Sequence, residues 1–155
     1  MAEENLSEDF VLRLLDYSAY FDMLSMELPT NKAGILEALE NDKMIVKSEA
    51  GHYNITNMGA ILFARRISDF PALERKAIRV IKYSGNSRTN SASKEQIGGK
   101  GYANGFEGLI GYINGLLPEN EIMGKALRKT VPMYPELAVR ELVANAIIHQ
   151  NFFIR

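Results

Sequence analysis

The sequence contains no cysteine and no long apolar segment. Without cysteine the chain can form no disulfide, no zinc–thiolate centre and no cysteine nucleophile. No apolar run approaches the ~18 residues that a membrane-spanning helix needs. The acidic start MAEENLSEDF is unlike a signal peptide. We therefore expect a cytoplasmic protein with no membrane partner.

Several catalytic and phosphate-binding motifs are also missing. Gly99 and Gly101 are followed by Asn104 where G-x-G-x-x-G requires glycine, and the flanking residues of a P-loop are absent. There is no G-x-S-x-G, and His52 and His149 belong to different predicted elements. No His/Asp cluster offers a metal site. The sequence thus gives little support to hydrolytic chemistry of these kinds.

The charges are balanced overall but not along the chain. Residues 1–60 carry 11 acids and 4 bases, whereas residues 61–100 carry 3 acids and 9 bases. Such asymmetry can mark a phosphate-binding face, or the two segments can pack together and neutralise each other. We favour the second interpretation, because the basic segment must also supply a strand and a helix to a core. If the basic segment does bind nucleic acid, the candidate residues are Arg65, Arg66, Arg79, Lys82 and Arg88.

The 155 residues, 46% of them hydrophobic, suggest one domain or one domain plus part of another. The hydrophobic periodicity predicts an α+β fold. Helices are expected from Ser7, from Thr30 or Asn31, and from Thr56 through Phe63. The segments MIVK and YNIT predict a winged-helix-like hairpin, and the region from Ile78 to Tyr83 predicts a strand in a small mixed α/β layer.

A winged helix raises the possibility of DNA recognition. Its recognition helix would lie between Thr30 and Lys43. This segment contains two lysines but three acidic residues, Glu37, Glu40 and Asp42. A helix that docks on a duplex normally has an excess of positive charge. The pattern therefore indicates a winged-helix shape more than a winged-helix function.

Two later helices differ in composition. The helix 106–117 carries Gly108, Gly111 and Gly115 on one face, and we expect another element to approach that face closely. The last helix begins at Pro135, and its apolar residues surround it, which predicts a long buried helix. Glu141 and Asn145 lie one turn apart on it and could share a water or a metal ion. The alternative is a hydrogen-bonded pair inside a core.

The phrase YPELAVRELVANAIIHQNF resembles the N-box helix of GHKL-type ATPases in RecG-related transcriptional regulators that also carry a Schlafen/AlbA-like domain. The resemblance spans most of the chain. Its sharpest motifs are T-N-x-G-x-x-L-F at residues 56–63 and E-L-V-x-N-A-x-x-H at residues 141–149.

The resemblance implies roles for three residues. Glu141 would position or deprotonate the attacking water in members that hydrolyse ATP, and Asn145 would ligate the Mg²⁺ that bridges the phosphates. His149 matches the family histidine, whose role stays open. Gln150, Asn151 and Phe152 stand where the family usually has R-D-Y, so any contact made by that Arg and Asp is in doubt.

The later glycine-rich boxes that hold adenine and phosphates do not occur in these residues. The resemblance therefore implies a middle fragment of a regulator, with a connecting α+β domain at residues 1–130 and a truncated ATPase-like domain at residues 131–155. The full-length parent would bind DNA, ATP and Mg²⁺, and this chain alone would not be catalytic or bind them tightly. The alternatives are an interaction or homodimerisation domain, or a winged-helix-like DNA-binding module, with no nucleotide chemistry.

Overall fold

The computed structural model describes residues 1–85, 91–123 and 128–150. The chain divides into two compact units. The first comprises residues 1–79 and 96–105, and the second comprises residues 80–95 and 106–155. The domain boundary at residue 130 is predicted from the family resemblance, and it stays a prediction.

The first unit contains most of the secondary structure, and the chain is α+β as predicted. A three-stranded antiparallel sheet has the order β1-β3-β2 and is accompanied by four short helices. These elements are β1 (Glu3–Leu6), α1 (Glu8–Leu14), α2 (Tyr17–Met23), α3 (Lys32–Asn41), β2 (Ile45–Lys47), β3 (Tyr53–Ile55) and α4 (Asn57–Phe63). The β2–β3 pairing, with Ile45 opposite Ile55, confirms the hairpin, and β1 adds a third strand that the sequence pattern does not predict.

Aromatic side chains occupy the centre of the first unit. Tyr20 and Phe21 are each 1% exposed, and the Tyr20 ring meets Phe21 and Phe63 edge to face at centroid distances of 5.1 and 5.5 Å. The Tyr20 hydroxyl donates to Asp42 Oδ2 at 2.7 Å. Burial raises the pKa of the Tyr20 phenol, and the Asp42 carboxylate raises it further. Tyr20 therefore joins α2 to the end of α3 through a core ring and a polar contact.

The T-N-x-G-x-x-L-F motif has a structural explanation. Thr56 caps α4, because its Oγ1 accepts from the Gly59 N–H at 3.0 Å and lies 3.0 Å from the Met44 carbonyl oxygen. A Cβ on Gly59 would come within 2.3 Å of that same carbonyl oxygen, so only glycine fits. Phe63 closes the motif in the core at 6% exposure. The motif thus fixes the hairpin to α4.

Residues 101–103 lie against the end of α4. The backbone N–H groups of Gly101, Tyr102 and Ala103 donate to the carbonyls of Ala64, Ile61 and Leu62 at 2.7–2.9 Å. These carbonyls belong to the terminal turn of a helix, where backbone acceptors lack intrahelical partners. Residues 101–103 therefore cap the end of α4.

The second unit contains two strand pairs and two helices. Strand β4 (Arg79–Tyr83) pairs with β5 (Ala92–Ile97), and both strands belong to the second unit except at Arg79 and at Gln96 and Ile97, which are assigned to the first unit. Strand β6 (Glu119–Met123) pairs antiparallel with β7 (Arg128–Pro132). Helix α5 (Phe106–Asn114) contacts α6 (Glu136–Ile148). A Cβ on Gly108 or Gly111 would meet nothing within 4 Å. The expected close approach to the glycine face is therefore wrong for those two positions.

The prediction that the last helix is buried is also wrong. Val139 is the one buried residue of α6, whereas Leu137, Leu142 and Ile148 are 69%, 71% and 67% exposed. The composition predicts burial on all sides, but among the described residues only one side of the helix is covered. No helix in the described parts of the chain is both long and apolar enough to cross a membrane.

Candidate functional site

Helix α6 presents two different faces. It begins after Pro135, whose extended backbone forms the N-cap, and Glu136 places a negative charge in the first turn. At ~100° per residue, Val139, Val143 and Ile147 share the side that is buried or half-buried. The opposite side is exposed to solvent. The packing against α5 therefore decides which side chains of α6 are accessible.

Glu141 and Asn145 both lie on the exposed side, one helical turn apart. Neither side chain makes a hydrogen bond or ion pair with a described residue. The interpretation of a polar pair inside a core is therefore wrong, because neither residue is buried. An exposed carboxylate and amide keep their oxygen atoms available for a ligand.

His149 directly follows α6 and forms its C-cap. Its side chain is exposed, and its backbone N–H donates to the Asn145 carbonyl at 3.0 Å. On the continued helical wheel it lies ~40° from Asn145. The helix thus places the three motif residues on one accessible side. Gln150 is half-buried, and Asn151 and Phe152 lie outside the described residues.

An ion pair holds α5 and α6 together. The two nitrogens Nη1 and Nη2 of Arg140 donate to the two Glu107 oxygens at 2.8 and 2.5 Å, and the guanidinium carbon lies 5.3 Å from the centroid of the Phe106 ring. Glu136 adds a second carboxylate at 3.9 Å. A two-point contact of this kind fixes orientation as well as distance. Arg140 precedes Glu141 in the sequence motif, but the motif does not reveal that Arg140 pairs with Glu107, which is 33 residues away.

The same pair changes the ionisation of both groups. The hydrogen bond from Arg140 lowers the pKa of Glu107, and the hydrogen bond from Glu107 raises the pKa of Arg140. Because the carboxyl pKa is depressed in the folded chain, its stabilising contribution is present above the unfolded pKa and is lost as pH falls. We therefore expect the α5–α6 contact to weaken in acid.

The donor types at Glu141 and Asn145 suit a hard cation such as Mg²⁺, which prefers oxygen ligands. The described residues contain no group of three or more His, Asp or Glu side chains that could hold a metal ion. Two oxygen-bearing side chains on one helix therefore fit Mg²⁺ in kind but do not form a complete coordination set by themselves.

The predicted nucleic-acid residues are engaged in different local contacts. Arg65 lies 3.6 Å from Asp16, and its guanidinium is 5.5 Å from the centroid of the Tyr17 ring. Arg66 pairs with Asp69 at 3.2 Å. Lys82, in the second compact unit, donates to the Leu116 carbonyl at 2.9 Å. Arg79 lines a cavity in the first unit, and Arg88 lies outside the described residues.

The surface of α3 is poor in free positive charge. Lys32 pairs with Asp9, and this hydrogen bond raises the pKa of the lysine. Glu37 and Asp42 are exposed on the same helix or at its end. Among the described residues, α3 therefore presents no excess of positive charge to a duplex, as its sequence predicts.

Described residues also line two cavities away from Glu141, Asn145 and His149. One of about 350 Å³ belongs to the first unit, and one of about 250 Å³ lies near the start of α6 in the second unit. Neither is lined by Glu141, Asn145 or His149. Comparisons of the chain with protein-family models, with curated proteins and with solved structures give no match.

Proposed function

We propose that this chain is part of a DNA-binding transcriptional regulator in which α6 contributes the first helix of a GHKL-like ATP site. The observation that carries the proposal is the accessible face of α6. Glu141 and Asn145 lie one turn apart there, exposed and without partners among the described residues. A polar pair that stabilises a core would be buried and hydrogen-bonded to protein groups, and this pair is neither.

Each residue has a distinct role in this proposal. The Asn145 side-chain oxygen would hold Mg²⁺, and the Glu141 carboxylate would orient or deprotonate a water. Mg²⁺ in such a site neutralises phosphate charge. Arg140 holds α6 against Glu107 on α5, and it thereby fixes the direction in which α6 presents Glu141 and Asn145. The remaining phosphate and adenine contacts come from other parts of the parent protein, so the chain alone is neither catalytic nor a tight nucleotide binder.

DNA binding belongs to the same proposal but is assigned to the parent as a whole. Of the candidate DNA-binding residues, Arg65 and Arg66 form ion pairs and Lys82 contacts a backbone carbonyl, each within its own unit, so these three support no particular DNA-binding face here. We place the parent in the cytoplasm, where a nucleotide-dependent regulator of transcription would act.

The test is a calorimetric titration of Mg·ATP into the full-length parent and into its Asn145→Ala variant. We expect saturable binding by the parent and a loss of at least tenfold in the variant. Asn41→Ala is the matched control, because Asn41 is also an exposed helical asparagine but lies in the first unit. Binding that survives Asn145→Ala unchanged, or no binding by the parent, contradicts the proposal.

A second candidate function is homodimerisation. It is supported by Leu137, Leu142 and Ile148, which are about two-thirds exposed on the accessible side of α6. Sedimentation equilibrium of the chain tests it: dimerisation that Leu142→Glu abolishes favours this function. A monomer at high concentration excludes it.

A further inference from the structure

The larger cavity lies within the first compact unit, in a part of the molecule for which the nucleotide proposal has no use. Its volume is about 350 Å³, which is within the range of small-molecule sites. Ile67, Ala77 and Ile97 form its apolar lining. Ile97 is 50% exposed, although its side chain is large and hydrophobic. A ligand with an apolar body would remove this surface from water.

The polar groups of the cavity favour an anion. The residues that line it include Arg75 and Arg79, whose side chains carry guanidinium groups, together with Glu74 and Ser68. Arg79 already interacts with another group of the chain, so the guanidinium that a ligand could use is that of Arg75. Arg75 makes no hydrogen bond or ion pair with any described residue, so its donors are available. Guanidinium groups form their strongest hydrogen bonds with carboxylates and phosphates.

The backbone of Gly98 and Gly99 forms another part of the wall. The Gly98 N–H donates to the Ile78 carbonyl oxygen at 2.7 Å, and the Gly99 carbonyl oxygen accepts from the Ile67 N–H at 2.8 Å. The Gly99 N–H has no partner among the described residues. A Cβ on Gly99 would meet nothing within 4 Å. A backbone donor without a partner among the described residues therefore belongs to a residue of the cavity wall, and there is open space beside its Cα atom.

We propose that this cavity binds a small organic anion, with a carboxylate or phosphate at Arg75 and the Gly99 N–H, and an apolar body against Ile67 and Ile97. Glu74 disfavours ligands with a high negative charge, so a monoanion or dianion on a small apolar body fits best. The site is separate from α6 and does not depend on the proposed ATP function.

The experiment follows the backbone amides of the ¹⁵N-labelled 155-residue chain by NMR during titration with phenyl phosphate. We expect saturable shifts at Ile67, Arg75, Gly98 and Gly99. Phenol tests the need for charge, and inorganic phosphate tests the need for an apolar body. Each should bind at least tenfold more weakly than phenyl phosphate, because each lacks one of the two complementary parts.

Two variants test the location. Arg75→Ala should weaken binding by about tenfold, which is the loss expected for one charge-assisted hydrogen bond. Gly99→Leu should block the cavity without a backbone clash, since the position is open. Arg13→Ala is the control, because it removes an exposed guanidinium that does not line the cavity.

The dispersion of each variant's spectrum verifies its fold. The proposal is overturned if phenyl phosphate causes no saturable shifts at these amides. It is equally overturned if both cavity variants, while folded, bind as the unmodified chain does. Binding by phenol as tight as that of phenyl phosphate would reject the anionic class.

Discussion

Substitution of Gly101 provides the sharpest test of the contact between residues 101–103 and the end of α4. A Cβ at this position would lie 2.4 Å from the Leu62 carbonyl oxygen and 2.8 Å from the Ala64 nitrogen, both of which are backbone atoms at the end of α4. Backbone of this kind cannot move aside as a flexible side chain can. The Gly101→Ala variant must therefore displace segment 101–103 from α4.

The expected loss in the free energy of unfolding follows from the hydrogen bonds that segment 101–103 makes. Three backbone hydrogen bonds join it to α4, each worth about 1 kcal/mol net, and overpacking of this kind costs about 1–3 kcal/mol. Because partial relaxation retains some of these bonds, we expect a loss of about 2 kcal/mol in the free energy of unfolding. With a urea m-value of about 2 kcal/mol/M, the midpoint should fall by about 1 M.

Urea unfolding followed by circular dichroism measures this shift, and amide hydrogen exchange at Tyr102 and Ala103 reports whether the local bonds are lost. Gly99→Ala is the matched control, since a Cβ two residues earlier meets nothing within 4 Å. Equal midpoints for the two variants, with Tyr102 and Ala103 still protected, would refute the proposed close contact.

Three further predictions follow from single contacts. Gly59→Ala should lower the free energy of unfolding, because its Cβ would lie 2.3 Å from a backbone oxygen. Gly111→Ala should raise the free energy of unfolding by up to about 1 kcal/mol, because that helical position is open. Calorimetry should therefore show melting temperatures that change in opposite directions, and changes of the same sign would contradict this prediction. Because the pKa of Tyr20 is raised on folding, its contribution is present below the unfolded value of about 10 and is lost as pH rises above it. Tyr20→Phe should therefore flatten the fall in melting temperature above pH 10, and an unchanged slope would count against the buried phenol. Glu107→Arg and Arg140→Glu should each lower the melting temperature, and the double variant should recover part of the loss in low salt; strictly additive losses would disprove the pairing.

Local patterns predict the hairpin and α4 well. Thr56 and Asn31 both act as caps, accepting from Gly59 at 3.0 Å and from Gly34 at 2.7 Å, as residues of their type favour. The T-N-x-G motif is short-range, so its sequence contains nearly all the information that its structure needs. The exception is the approach of Gly59 to Met44, which depends on contact with the preceding hairpin.

The sequence does not predict the break between α1 and α2. The periodicity continues from Phe10 to Phe21, but Leu15 pairs with Ala64 in an isolated bridge and leaves the helix. Asp16 then caps α2 by accepting from the Ala19 N–H at 3.4 Å. This break depends on a residue nearly fifty positions away, so it is not visible in a local window.

The exposure of the candidate site is a tertiary property too. Composition predicts that Glu141 and Asn145 are buried, because apolar residues surround them in the sequence. Their accessibility instead follows from the side of α6 that packs against α5, where Arg140 meets Glu107. The strands β5, β6 and β7 are not predicted either, since their polar sequences show little alternation of apolar residues.

We propose that Asn145 ligates a phosphate-bound divalent ion, and paramagnetic NMR tests this role directly. In the full-length parent labelled with ¹⁵N-asparagine, Mn·ATP should broaden the side-chain amide signal of Asn145 and leave that of Asn41 sharp. Mn²⁺ without ATP should have a much smaller effect, since two donors on one helix are an incomplete site. An Asn145 signal that stays sharp at saturating Mn·ATP would contradict the account.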